Sequence, residues 1–101
     1  MVLKDQVVLV TGAGSGIGAG ITLAMAAAGA RVISVDIEPE AAQRSADAGS
    51  ALGVDTLALE ADVGDVDQIE AMLDAAVARF GRLDVIVNNA GVTRKADIME
   101  L

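Results

Sequence analysis

The chain has no cysteine, no histidine, no tryptophan and no tyrosine. Without cysteine there are no disulfides and no thiolate metal sites. Without histidine as well, zinc would have to be held by carboxylates alone, a donor set that zinc sites rarely use, so no metal is expected. Most side chains that move protons in active sites are missing too. Aromatic residues are reduced to Phe80. The core must then be built from Val, Leu, Ile, Met and Ala, which suits parallel strands covered by helices. Basic residues are few, 7 Lys and Arg against 15 Asp and Glu, for a formal net charge of −8. They are scattered, so the cationic patch that would neutralise nucleic-acid phosphates is absent and no nucleic-acid partner is expected.

What is present points to one small globular domain spanning residues 1–101. A chain of this size buries roughly 65% of its unfolded surface. Its 53% apolar content argues against disorder. No charge occurs from Gln6 to Ala30, a length that raises a membrane span or a signal peptide. Gly12, Gly14, Gly16, Gly18 and Gly20 interrupt that run, and Lys4-Asp5 before it is not a cationic leader. The expectation is a soluble cytoplasmic protein with no membrane partner.

Short apolar runs alternate with helical periods. Gln6–Val10 reads as a strand and Gly16–Ala28 as a helix stopped by Gly29. Arg31–Val35 is a second strand, closed by Asp36. A helix follows over Pro39–Ala48, with Pro39 at its first turn and Gly49 at its far end. Thr56–Leu59 is a third strand. Asp65 and Gln68 fit a capping pair, and Val66, Ile69, Met72, Leu73, Ala76, Val77 and Phe80 recur at helical steps before the stop at Gly81. Leu83–Val87 is a fourth strand, and Val92–Leu101 a loop that carries at most the first turn of another helix. The order βαβαβαβ predicts an α/β fold with a doubly wound parallel sheet, right-handed crossovers and helices on both faces.

Thr11-Gly12-Ala13-Gly14-Ser15-Gly16-Ile17-Gly18 stands between the first strand and the first helix. Strand, glycine turn and helix start are what a backbone needs to hold a phosphate. The glycines divide the work: a positive φ where the chain leaves the strand, backbone amides open to a pyrophosphate, and a close approach of helix to strand. Asp36, 24 residues after Gly12, stands where a carboxylate accepts both ribose hydroxyls of an adenosine and repels a 2′-phosphate. Ser15 and Ile37 beside it offer no cation. NAD is therefore expected over NADP. Asp62 is a candidate acceptor for the adenine amino group, with Val63 packed on the ring; otherwise Asp62 closes a turn before Asp65. Asn88-Asn89-Ala90-Gly91 ends the fourth strand at the same edge. Asn88 is expected to tie neighbouring strands together; Asn89, Ala90 and Gly91 are expected to border the nucleotide, the small pair leaving room for a sugar or nicotinamide. The acidic residues Asp67, Glu70 and Asp74 read as a solvated face, and Thr93, Arg94 and Lys95 as a surface loop.

Taken together, Thr11–Gly18, Asp36, Asp62-Val63 and Asn88–Gly91 resemble the short-chain dehydrogenase/reductase family. The glycine spacing Gly12, Gly16, Gly18 is the family's three-then-one form, and the Asn-Asn-Ala-Gly tetrapeptide is more specific than the glycines. Gly91-Val92-Thr93-Arg94 resembles the 3-oxoacyl-(acyl carrier protein) reductase branch and its sugar- and alcohol-dehydrogenase relatives. The resemblance covers the whole chain but only the first half of a family member. It implies a Rossmann-type sheet in the order 3-2-1-4. It also implies a nicotinamide-dependent oxidoreductase moving hydride between the cofactor and a carbonyl or alcohol carbon. The family's catalytic Ser, Tyr-x-x-x-Lys and later Asn have no counterparts here, so no catalytic residue is assigned and the chain alone is expected to be inactive. The order 3-2-1-4 would leave the fourth strand as an apolar edge, and self-association through it is expected. A stand-alone NAD-binding sensor without chemistry is the alternative. An ATP- or GTP-binding domain is disfavoured, because no Gly-Lys-Ser/Thr follows the turn.

Overall fold

The computed structural model describes residues 3–89. Seven elements follow one another: β1 Val7–Thr11, α1 Gly16–Ala27, β2 Arg31–Asp36, α2 Pro39–Ser50, β3 Thr56–Glu60, α3 Val66–Phe80 and β4 Val85–Asn88. The strands form one parallel sheet in the order β3-β2-β1-β4. The doubly wound Rossmann-type architecture and the strand order expected from the sequence are both present.

Successive side chains of a strand point to opposite faces, and both faces of β1 are covered. Val7 and Leu9, with Ile33 and Val35 of β2, pack under Met72 and Ala76 of α3. Val8, Val10 and Val32 pack under Ala26 of α1 on the other face, with Ile21, Met25, Val85 and Val87 around them. This explains why Val7–Val10 reads as an unbroken apolar run. Each fully buried Val, Leu or Ile contributes about 1.5–3 kcal/mol of transfer free energy.

The helices come close because their inward faces are small. α1 buries Gly18, Thr22 and Ala26; α2 buries Ala41, Ala42, Ser45, Ala46 and Gly49. The buried hydroxyls are satisfied by carbonyls: Thr22 donates to Gly18 O at 2.9 Å and Ser34 to Ala42 O at 2.8 Å. α3 starts as its sequence indicates. Asp65 accepts from the Asp67 and Gln68 amides, and the Gln68 side chain donates to Asp65 Oδ2 at 3.2 Å. Gly81 closes it in the left-handed conformation, φ 76°.

Most element boundaries differ from the sequence reading by a residue or two, and two of these differences have a visible physical reason. α2 runs through Gly49 to Ser50. Gly49 is a packing residue, not a stop: a Cβ there would lie 3.2 Å from Thr56 Cγ2 and 3.5 Å from Ala26 Cβ. The glycine with positive φ in this connection is Gly53, at 92°. β4 begins at Val85 rather than Leu83, because Asp84 uses its carboxylate, not only its backbone, to meet β1: Val7 N–H donates to Asp84 Oδ2 at 2.8 Å.

Candidate functional site

The strand register brings four chain segments to one edge. Thr11 is level with Val35 on one side and with Asn88 on the other, and Asp36 is level with Glu60. β2 and β3 lie to one side of β1 and β4 to the other, so the chain's direction across the sheet reverses beside β1. Crevices outside the carboxyl ends of strands at such a reversal are where open α/β sheets bind ligands. The glycine turn following β1 stands in that place.

The turn is held from three directions. From β2, the Ala13 amide donates to Val35 O at 3.0 Å and the Gly14 amide to Asp36 Oδ2 at 2.9 Å. From α2, the Ser45 hydroxyl donates to Ala13 O at 2.6 Å. From the end of β4, Asn89 Nδ2 donates to Gly12 O at 3.3 Å and to Ser15 Oγ at 3.0 Å. Thr11 ties the end of β1 to the end of β4: its hydroxyl donates to Asn88 Oδ1 and accepts from the Asn89 amide, both at 3.0 Å. Asn88 links β4 to β1 through its acceptor alone, to a side-chain hydroxyl and not a backbone group, and its buried Nδ2 finds no partner among the described residues.

Gly12 has φ 63°, the left-handed conformation that glycine reaches without strain. Ser15 caps α1, accepting from the Gly18 amide at 3.1 Å, and the Ser15 amide donates to Gly12 O at 3.1 Å. Gly16 and Ile17, the first two helical residues, have amides with no carbonyl one turn back to accept them. Those two donors have no partner among the described residues, and the helix dipole adds roughly half a positive charge behind them. A Cβ on Gly16 would meet nothing within 4 Å. Packing therefore gives no reason for a glycine there. Gly18 is different: its Cβ would overlap Gly12 O and come within 2.8 Å of Asn89 Nδ2. Gly14 is tight against α2, where a Cβ would overlap Ala41 Cβ.

Asp36 closes β2 directly beside this turn. Its second oxygen accepts from the Glu38 amide at 3.0 Å, so the carboxylate is fixed by two backbone donors and keeps lone pairs for others. Ile37, which follows Asp36 in the chain, and Ile17 in the first turn of α1 are 61% and 72% exposed. Asp62 is exposed and Val63 half-buried after β3. Asp62 Oδ1 accepts from the Gly64 amide at 2.9 Å, and its backbone meets the Gln68 side chain and the Asp65 amide. The turn-closing role considered for Asp62 is thus formed. Ala90 and Gly91, like Thr93, Arg94 and Lys95, lie outside the described residues. Among the described residues no group of three or more His, Cys, Asp or Glu could hold a metal ion. No helix there is long and apolar enough to cross a membrane.

The sequence reading did not single out Ser45 or the Thr11 hydroxyl. Ser45 carried one usable signal: it is the lone hydroxyl in the apolar stripe Ala41, Ala42, Ala46, Gly49 of α2, and a buried polar group needs a partner.

Comparison with known proteins adds independent findings. The family model for short chain dehydrogenase matches residues 6–101. The chain is 41% identical over 99 residues to 2-dehydro-3-deoxy-D-gluconate 5-dehydrogenase of Escherichia coli, covering 97% of this chain and 38% of that protein. It is 44% identical over 62 residues to a 3-oxoacyl-(acyl-carrier-protein) reductase of Staphylococcus aureus, covering 61% of this chain and 25% of that protein. The crystal structure of a hydroxysteroid dehydrogenase from Escherichia coli superposes with a TM-score of 0.85 at 37% identity, covering 88% of this chain and 38% of that one. The chain therefore spans between 25% and 38% of the length of these relatives.

Proposed function

Since the chain belongs to the short chain dehydrogenase family, we propose that it is the cofactor-holding portion of an oxidoreductase that moves a hydride between a nicotinamide dinucleotide and a carbonyl or alcohol carbon. One observation carries the reading. The unpartnered amides of Gly16 and Ile17 open beside a glycine turn whose Gly14 amide lies 2.9 Å from the Asp36 carboxylate, at the carboxyl edge where the sheet reverses.

The chain's own residues divide the binding. The Gly16 and Ile17 amides, with the positive end of α1 behind them, receive the pyrophosphate. Asp36 accepts from the adenosine ribose with the lone pairs that Gly14 and Glu38 leave free, and its charge disfavours a 2′-phosphate. Ile17 and Ile37 supply apolar surface to the nucleotide. Asp62 and Val63 border the adenine, and Asn89, Ala90 and Gly91 the sugar and nicotinamide end. NAD is the preferred cofactor and NADP the weaker one. When bound, the nicotinamide would give or take the hydride; this chain positions it, and the Ser, Tyr and Lys that the family resemblance assigns to proton transfer have no counterparts among its residues. The 101-residue polypeptide alone is therefore expected to show no enzyme-like turnover of NADH with small ketones.

Isothermal titration with NAD and NADP tests the reading. NAD is expected to bind more tightly, and Asp36→Ala to narrow the gap. A chain folded by circular dichroism that takes up neither dinucleotide overturns it.

A further inference from the structure

Ala13 C=O and Gly14 N–H belong to one planar peptide unit, and they point in opposite directions from it. Both ends are gripped by residues distant in sequence. Asp36 Oδ2 accepts the Gly14 amide at 2.9 Å. The Ser45 hydroxyl, 32 residues from Ala13, donates to Ala13 O at 2.6 Å. Ser45 is only 6% exposed, so no water competes freely for that carbonyl. The plane cannot rotate without breaking one contact or the other. Rotation is further blocked on the α2 side, where Ala41 packs against Gly14 so closely that a Cβ would not fit.

We infer that Ser45 is a positioning residue for the dinucleotide site: by fixing the Ala13–Gly14 peptide plane it sets the angle at which Asp36 presents its carboxylate and the direction of the amides that follow. This rests on the reading of the turn as a dinucleotide site. Ser45 touches no ligand in this scheme. It acts through the peptide plane, and through Asp36 at the plane's other end. Its influence therefore extends to the choice between NAD and NADP as well as to affinity.

Ser34 provides the control. It is a second buried serine, and its hydroxyl donates to a carbonyl of the same helix, Ala42 O, at 2.8 Å. Its hydroxyl bonds α2 and not the turn. Ser34→Ala removes a comparable bond and should lower the melting temperature comparably, yet leave the NAD dissociation constant within about twofold.

The experiment compares the wild-type chain with Ser45→Ala, Ser45→Cys, Ser34→Ala, Asp36→Ala and the Ser45→Ala/Asp36→Ala pair. NAD and NADP titrations are run beside amide hydrogen exchange at Ala13 and Gly14. Ser45→Ala should weaken NAD about tenfold, shrink the NAD-to-NADP ratio, and speed exchange of the Ala13 and Gly14 amides. Ser45→Cys keeps the volume with a weaker donor and should fall between, which covers the case in which Ser45→Ala does not fold. In the Asp36→Ala background the effect of Ser45→Ala should shrink, because the plane's other hold is already gone. Equal effects of Ser45→Ala and Ser34→Ala on affinity, or turn exchange unchanged in Ser45→Ala, overturn the inference. If the wild-type chain binds neither dinucleotide the functional reading fails, and the exchange rates still decide whether Ser45 holds the turn.

Discussion

Gly18 leaves no room for a side chain against Gly12: a Cβ would overlap the Gly12 carbonyl oxygen and sit 2.7 Å from its carbonyl carbon. Both obstacles are backbone atoms of a turn that is itself tied to β2, α2 and Asn89, so neither can yield. Gly18→Ala is expected to destabilise the fold by more than about 2 kcal/mol, at the upper end of overpacking effects. Urea denaturation followed by circular dichroism measures this. A loss below about 0.5 kcal/mol would mean the turn adjusts freely.

Gly16 should behave in the opposite way. Its position is helical and open, with nothing within 4 Å of a Cβ, and alanine is favoured over glycine in a helix by up to about 1 kcal/mol. Gly16→Ala should therefore melt no lower than the wild type. The added methyl stands where a phosphate must approach the Gly16 and Ile17 amides, so NAD affinity should fall about tenfold. Unchanged affinity would show that the ligand does not come to this side of α1.

Gly81 separates conformational from steric need. It has φ 76° and open space around its Cα, and its amide donates to Val77 O at 2.7 Å as the stop of α3. Gly81→Ala should cost about 1 kcal/mol through the left-handed backbone alone, and Gly81→Asn about half as much, because asparagine tolerates that region. Thermal melts of the two variants compare them; equal losses would contradict the conformational account.

Much of this was legible because each level agreed with the next. Val7–Val10 and Val32–Val35 read as strands buried on both faces, and both faces are covered. Asp65 with Gln68 announced the start of α3: Asp65 caps the Asp67 and Gln68 amides, and the Gln68 side chain braces Asp65 Oδ2 and accepts from the Asp62 amide. The glycine spacing placed different demands on one turn: Gly12 takes the positive φ and Gly18 allows the close approach of helix to strand. What was hidden depends on contacts between distant residues. Gly49 looks like a stop by composition and is a packing residue because Thr56 and Ala26 come up against it. Nothing near Asp84 in sequence says that its carboxylate will meet the Val7 amide. Ser45 is visible only as a hydroxyl out of place in a stripe of alanines, and its partner at Ala13 is known only once α2 is laid over the turn.

β4 is the outer strand of the described sheet, and Ile86 in its middle is 53% exposed. An apolar strand at an edge offers free backbone groups to another chain. We propose that the 101-residue polypeptide, prepared alone, pairs along this edge with a second copy, which light scattering at tens of micromolar would detect. Ile86→Lys, which puts a charge on the edge, should shift the population toward monomer. A wild-type chain that is monomeric under those conditions would remove this expectation, and the net charge of −8 opposes association at low salt.

Among the described residues, the entry to β4 holds a carboxylate whose acidity is changed by folding. Asp84 accepts from the Val7 amide at 2.8 Å and from Arg82 Nε at 2.9 Å, and Arg82 Nη2 donates to its other oxygen at 2.7 Å. These contacts, the Arg82 side chain first and the Val7 amide next, hold the Asp84 carboxyl below the usual carboxylate range. A carboxyl whose acidity is strengthened by folding stabilises the folded state while it is ionised. That contribution is fully present above the unfolded value, about pH 4, and is lost as the pH falls through the lowered folded value. Asp84→Asn keeps an acceptor for the Val7 amide and removes only the charge. Its melting temperature should lie below that of the wild type at neutral pH, and the gap should close as the pH falls below about 4. Because Arg82 is half exposed, at 53% of its side-chain surface, added salt should also narrow the gap at neutral pH. A gap that is constant from neutral to acid pH would show that Asp84 acts through its shape and not through its charge.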